Sequence, residues 1–104
     1  MKTADTDISQ KDNFFSRVMI KLSGEALLGS KEFGIDSDVV DKIALDVVNV
    51  AKNNIEVCIV VGGGNIFRGV AGASQGIERG TADSMGMLAT VINALAIQNS
   101  IEKH

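Results

Sequence analysis

The chain has 104 residues, of which 45% are hydrophobic and 22% charged, a profile typical of one soluble globular domain. A formal net charge of −3 argues against the broad positive surface that extended contact with nucleic acid requires. A single cysteine, Cys58, and a single histidine, His104, exclude an intramolecular disulfide, a structural zinc cluster and a serine-histidine-aspartate triad.

Residues 1–16 are polar and lack a hydrophobic pattern, which is typical of a mobile leader, and residues 17–104 are expected to form the folded part. The leader contains no apolar stretch of signal-peptide length. We also expect no segment to approach the roughly 20 apolar residues of a membrane span. The sequence therefore predicts a cytoplasmic protein without membrane contact.

The first predicted elements form a strand-helix-strand unit. The apolar segment RVMIKL, residues 17–22, predicts a buried strand that ends at the dipeptide SG, and a short helical turn and a glycine-punctuated loop follow. A helix is expected from Asp38, capped by Asp36 or Ser37 and stopped near Asn53 and Asn54. Its apolar face recurs at helical spacing: Val40, Ile43, Ala44, Val47 and Ala51.

Residues 55–61 predict a second apolar strand, in which Cys58 is expected to be a buried structural thiol. Two such strands separated by a helix are typical of a parallel sheet covered on both faces. The predicted fold class is α/β.

The last predicted helix covers much of residues 82–104, with Asp83 or Ser84 as its cap. Its periodic apolar residues are expected to pack in the core or between subunits: Met85, Leu88, Ile92, Leu95 and Ala96. No stop signal follows this helix, and two strands are few for a stable α/β layer. We therefore expect the chain to be the front part of a longer protein.

Two glycine turns, SG after the first strand and GGGN after the second, fall at carboxyl ends of parallel strands, where such sheets bind ligands. Consecutive glycine amides form anion-binding concavities, and Lys21 and Arg68 add positive charge. A phosphate site is predicted, although GGGN alone could be a simple tight turn and Asp83 a simple helix cap. No Gly-Lys pair exists for a Walker loop, and Phe67 interrupts a dinucleotide fingerprint.

The segments KLSGEAL, FGID, VVGGGNIFRG and MGMLATVINALA, in this order, closely resemble the amino-terminal part of bacterial UMP kinases, a branch of the amino-acid-kinase superfamily. The resemblance runs from about Arg17 to the end of the chain. It implies a three-layer α/β sandwich with a mostly parallel sheet, of which this chain is the amino-terminal portion. Members of this family are well over twice as long.

The resemblance implies reversible transfer of the γ-phosphoryl group of ATP to UMP, giving UDP in pyrimidine nucleotide biosynthesis. Mg²⁺ would come with ATP, and no metal site on the protein is expected. Lys21 and Arg68 would be the catalytic residues, with Lys21 neutralising charge on the transferred group. The contacts to ATP would come from Lys21, Leu22, Ser23, Gly24, Gly64 and Arg68.

On the UMP side, the resemblance implies contact with the Gly63 amide and hydrogen bonds from the ribose hydroxyls to Asp83. It further implies a homohexamer, activation by GTP and inhibition by UTP. The loop matching the family's GTP-response region consists of Gly29, Ser30, Lys31, Glu32, Phe33 and Gly34.

One departure inside the matched segment is Ser84, which stands where a histidine often follows the aspartate. Two other functions remain open. The chain could belong to a superfamily kinase that acts on an amino acid or carbamate, against which the segment DSMGMLAT argues. It could also be a catalytically inactive fragment that at most binds or associates.

Overall fold

The computed structural model describes residues 15–67 and 69–104, so all but the last two residues of the predicted leader lie outside the described part. Two strands and three α-helices, with one 3₁₀ helix, follow one another in the described residues, and the parallel α/β class predicted from the sequence is confirmed. In chain order the elements are β1 (Arg17–Leu22), the 3₁₀ helix (Gly24–Leu27), α1 (Ser37–Ala51), β2 (Glu56–Val61), α2 (Gly69–Ser74) and α3 (Arg79–Lys103).

β1 and β2 pair in parallel, connected by the crossover through α1. The register runs without offset from Arg17 opposite Glu56 to Leu22 opposite Val61. Both strands therefore end at the same level, and the turns that follow them start side by side.

Helices α1 and α3 pack on the same face of this sheet. Ile20 and Leu22 of β1 face α1, and their register partners Ile59 and Val61 of β2 face α3. The centre of the core joins the 3₁₀ helix, α1, β2 and α3 through four buried side chains: Leu27, Val40, Val61 and Ile97. Packing on this face is therefore what fixes α3 relative to the strand ends.

The opposite face of the sheet is not covered by any described residue, so the expectation of a sheet covered on both faces is wrong for this part of the chain. Met19 is 65% exposed and Val60 49% exposed. Cys58, expected to be buried, is exposed as well. Side chains alternate between the two faces of a strand, and residue 58 falls on the open one.

Helix α1 agrees with the prediction. The side chain of Asp36 accepts hydrogen bonds from the amides of Asp38 at 2.9 Å and Val39 at 3.3 Å, which is N-cap geometry. After the helix, Asn54 adopts a positive φ of 62°, as chain-reversing asparagines do. The buried face consists of Val40, Ala44 and Val47, whereas Ala51, predicted on the same face, is exposed.

Helix α3 differs from the prediction in its start and in its buried face. It begins at Arg79 with Glu78 as a cap residue that makes no side-chain hydrogen bond, so neither Asp83 nor Ser84 is the cap. The buried face consists of Ala82, Ala89, Asn93, Ile97 and Ser100. The predicted apolar stripe is instead turned outward, with Met85, Leu88, Ile92 and Leu95 exposed and Ala96 half-buried. Small side chains on the buried face let α3 pack closely on its neighbours. The periodicity of large apolar residues therefore does not identify this face.

By length and composition alone, α3 could cross a membrane, because an 18-residue window within it has a mean hydropathy of 1.2, contrary to the expectation from the sequence. Its buried face nevertheless contains Asn93 and Ser100, both hydrogen-bonded to other parts of the chain. Polar residues satisfied by neighbouring elements are typical of a core helix.

Asp41 of α1 forms a polar contact with the end of α3. The Ser100 hydroxyl donates to Asp41 Oδ1, and the Lys103 ammonium lies 3.7 Å from the same oxygen. The hydrogen bond, and after it the positive charge, hold the pKa of Asp41 below its usual range. A lowered carboxyl pKa stabilises the folded state above the pKa of the unfolded chain, about 3.9, and this contribution is lost as the pH falls through the folded-state pKa.

We therefore predict that Asp41→Asn reduces the loss of stability on acidification below about pH 4, because the variant has no carboxylate to protonate at this contact. Urea unfolding midpoints of the parent and the variant, measured from about pH 6 down to about pH 2.5, test this. Asp46→Asn, on the same helix without a hydrogen bond to α3 among the described residues, is the matched control. Parallel pH curves for the parent and Asp41→Asn would contradict the assignment.

Candidate functional site

The two glycine turns are in contact, as their position after parallel strands predicts. The Gly62 amide donates to the Leu22 carbonyl at 3.0 Å. A Cβ placed on Gly24 would lie 2.6 Å from Asn65 Oδ1, 2.8 Å from the Gly64 nitrogen and 2.9 Å from the Gly62 oxygen. No side chain fits between the turns, so glycine at position 24 is what lets them meet.

Several amides at this edge are available as donors. The amides of Gly24, Gly63 and Gly64 have no acceptor among the described residues. The turn is closed on its other side, where the amides of Ile66 and Phe67 both donate to the Gly63 carbonyl at 2.9 Å. Clustered donors without acceptors favour an anionic ligand.

The GGGN turn also packs directly on α3. A Cβ on Gly63 would lie 2.8 Å from the Ala89 Cβ, 3.0 Å from the Thr90 nitrogen and 3.1 Å from the Gly86 oxygen. Asp83 precedes Gly86 by about one helical turn on the same side of α3. The helix thus places a carboxylate near the turn.

Asp83 is occupied by a neighbour in this structure. Its Oδ1 lies 3.0 Å from Nε of Arg79 in an i,i+4 pair, and both side chains are about half exposed or more. Exposed pairs of this kind contribute little stability and exchange readily. The Asp83 carboxylate can therefore change partners at low cost.

Lys21 and Ser23 flank the edge on the β1 side. Lys21 is exposed on the open face of the sheet, opposite Val60, and its ammonium makes no hydrogen bond or ion pair within the described residues. The Ser23 hydroxyl accepts from the Glu25 amide at 3.2 Å. The Leu22 side chain packs against the core, so only its backbone faces the edge.

Arg68, predicted as the second cationic residue, lies outside the described residues. Its role therefore stays a prediction. No group of three or more histidine, cysteine, aspartate or glutamate side chains that could hold a metal ion occurs in the described part of the chain.

The loop of residues 29–34 is tied to the GGGN turn. The Gly34 amide donates to the Asn65 carbonyl at 2.8 Å, and Nδ2 of Asn65 donates back to the Gly34 carbonyl at 2.9 Å. Gly29 and Gly34 have positive φ angles of 58° and 92°, and Phe33 is 76% exposed. The loop is thus anchored at Gly34 while its middle faces solvent.

Sequence reasoning missed helix α2 and two buried asparagines. Asn65 is 2% and Asn93 0% exposed, and their side-chain amides bond each other at 2.7 and 3.1 Å. A usable signal for Asn93 was its spacing of four residues from both Ala89 and Ile97, on one face of a helix. That spacing identifies the buried face of α3, whereas the pattern of larger apolar residues indicates a different face.

Comparisons with known proteins agree with this geometry. The family model described as "Amino acid kinase family" matches residues 16–104. A curated relative named "Uridylate kinase" from Paramagnetospirillum magneticum is 60% identical over 92 residues, which is 88% of this chain and 38% of the relative. The chain thus spans well under half the length of that protein.

Solved structures give the same result. A UMP kinase from Bacillus anthracis superposes with a TM-score of 0.78 at 40% identity, covering 86% of this chain and 36% of that one. A UMP kinase from Ureaplasma parvum superposes with a TM-score of 0.77 at 37% identity, covering 86% and 39%.

The contact between the turns makes a prediction about two neighbouring glycines. Gly24→Ala forces a methyl group against backbone and a buried amide and should lower the free energy of unfolding by about 1–3 kcal/mol, the usual cost of overpacking. Gly62→Ala is the matched control, because the nearest atom to its Cβ would be the Gly24 nitrogen at an ordinary 3.4 Å. Urea unfolding followed by circular dichroism compares them, and equal destabilisation of both variants would contradict the assigned contact.

Proposed function

The chain belongs to the amino acid kinase family, and from this we propose that it supplies the phosphate-binding edge of an enzyme that transfers the γ-phosphoryl group of ATP to UMP. The observation that carries the proposal is the contact between two glycine turns at the end of β1, where Lys21 lies; within the described residues the Gly24, Gly63 and Gly64 amides have no acceptor and the Lys21 ammonium has no partner. The names of the relatives, uridylate kinase and UMP kinase, support UMP as the acceptor.

The arrangement suits phosphoryl transfer because this reaction depends on positioning and on neutralising phosphate oxygens more than on covalent work by the protein. In the proposal, Lys21 neutralises charge on the transferred group. The backbone at Leu22, Ser23 and Gly24 holds the ATP phosphates. Gly64 and Arg68 act where donor and acceptor phosphates meet.

Mg²⁺ enters this proposal bound to ATP, as part of the substrate. It would neutralise negative charge on the phosphate oxygens. The described residues contribute no carboxylate cluster for a separate metal site.

On the acceptor side, we propose that the Gly63 amide contacts UMP and that Asp83 accepts hydrogen bonds from the ribose hydroxyls. Asp83 would then release Arg79, which an exposed pair permits. The position of Gly86 against Gly63 supports this, because it brings the start of α3 to the same edge.

The test uses a full-length chimaera in which residues 16–104 of this chain replace the matching segment of the Paramagnetospirillum magneticum uridylate kinase. We expect ADP release that depends on UMP in the chimaera and none from the chain of 104 residues alone. A parallel assay with glutamate in place of UMP tests whether the protein is instead a superfamily kinase that acts on an amino acid. Turnover with glutamate, or a chimaera that folds but lacks UMP-dependent turnover, would refute the proposed function.

Lys21→Ala in the chimaera should lower kcat by roughly 10² to 10³, the scale for removing one preorganised electrostatic contact. Lys42→Ala, at an exposed lysine of α1 to which no role is assigned, is the control and should retain the parent rate. Activity of Lys21→Ala within threefold of the parent would remove Lys21 from the mechanism.

We also propose that the longer protein is a homo-oligomer, a hexamer by the resemblance, with GTP as activator through residues 29–34 and UTP as inhibitor. The outward stripe of α3 supports a subunit contact, because Leu88 is 64% exposed and Leu95 57% exposed within one run of apolar side chains. The link from Gly34 to Asn65 supports an effect of the loop on the glycine turn.

Leu95→Glu should dissociate the oligomer of the chimaera, because a carboxylate buried in an apolar contact has no partner. Light scattering coupled to size-exclusion chromatography measures the mass. Asn49→Glu, which adds the same charge to the exposed side of α1, should leave it unchanged. An unaltered mass for Leu95→Glu would place the contact elsewhere.

A further inference from the structure

Two buried asparagine side chains join three separate segments behind the phosphate-binding edge. Asn65 Nδ2 donates to Asn93 Oδ1 and to the Gly34 carbonyl, and Asn93 Nδ2 donates to Asn65 Oδ1 and to the Gly62 carbonyl, the last two at 2.7 Å. Carbonyl oxygens only accept, so the two backbone partners fix which end of each amide faces them. The pair has one orientation that satisfies all four N–H groups.

This pair sets the position of the glycine turn. Its bond to Gly62 attaches the start of the turn to the middle of α3, and its bond to Gly34 attaches the loop before α1. The Asn65 amide oxygen is also the atom nearest to a Cβ built on Gly24, at 2.6 Å. The amide pair therefore contributes, together with the glycine contacts, to how far the turn lies from α3 and how closely the two turns approach.

A pair of side chains with a purely stabilising role would not need hydrogen-bonding amides. Two apolar side chains of similar size would fill the same volume, whereas hydrogen bonds fix distance and direction as well. A fully satisfied buried network resists displacement, because moving one member leaves a polar group without a partner. Phosphoryl transfer depends on accurate placement of the donors, since a misplacement of about 1 Å can cost about 10²-fold in rate.

We propose that Asn65 and Asn93 are positioning residues, which act through the GGGN turn by holding the amides of Gly63 and Gly64 where they meet nucleotide phosphate. Neither side chain is proposed to touch the substrate. The inference rests on the proposed function for its kinetic consequence, whereas the positioning of the turn is testable without any substrate.

The variant that tests this is Asn93→Asp in the chimaera. Aspartate has the same shape, but its carboxylate places oxygen opposite the Gly62 carbonyl and Asn65 Oδ1 in place of the two N–H donors, so the turn must shift. Asn99→Asp, an exposed asparagine on the same helix, is the matched control. Asn93→Ser, which removes the amide without adding charge, takes the place of Asn93→Asp should that variant not fold.

The first readout is amide hydrogen exchange. The amides of Ile66, Phe67 and Gly34 are bonded within the turn and its loop, and the Val47 amide in the buried face of α1 serves as reference. If the substitution loosens only the turn, exchange at these three amides should be accelerated over the parent by about tenfold or more relative to Val47. A merely stabilising pair would accelerate all four amides by the same factor.

The second readout is steady-state kinetics with UMP and MgATP. Misplaced donors act mainly on charge that develops in the transition state, so kcat should fall about 10²-fold with a much smaller change in KM. Uniform exchange, or local exchange with unchanged kcat, overturns the proposal. A folded but inactive parent chimaera refutes the proposed function, and the exchange comparison then still decides whether the pair positions the turn.

Discussion

The parallel pairing of β1 with β2 is the constraint on which the rest of the site depends. Because Leu22 lies opposite Val61, both strands end together and the chain leaves each one through a turn without bulky side chains. The hydrogen bond from Gly62 to Leu22 extends the ladder by one step into these turns. A slip of the register by one residue would send the apolar side chains to the open face and separate the turns. The core and the phosphate edge are therefore specified by the same pairing.

Features set by local chemistry could be predicted from the sequence. Asp36 caps α1 because a short acidic side chain reaches the first free amides of a helix, and this depends only on neighbours in the chain. The meeting of SG and GGGN followed from a general rule about carboxyl ends of parallel strands. The family resemblance then gave roles to Lys21, Gly63 and Asp83 that spacing alone did not provide. Those roles stay proposals, whereas the contact between the turns is a structural fact.

Features set by partners far away in the sequence could not be predicted. The buried face of α3 contains alanine, serine and asparagine because the helix packs closely on the GGGN turn and α1. Hydrophobic periodicity selected the larger residues beside it, such as Leu88 and Leu95, which are exposed. Cys58 was misplaced for a related reason, since an apolar run does not tell which of its alternate residues will be covered. The Asn65–Asn93 pair joins residues far apart in the chain, and no local sequence pattern predicts it.

The reactivity of one thiol can show whether the open face of the sheet is covered. Cys58 is the only cysteine of the chain and stands on that face between the exposed Met19 and Val60. Any segment that comes to lie on this face must shield the sulfur from reagents dissolved in water. The rate at which a thiol-specific label reacts with Cys58 would fall when this face is covered. It would therefore measure that covering without an introduced probe.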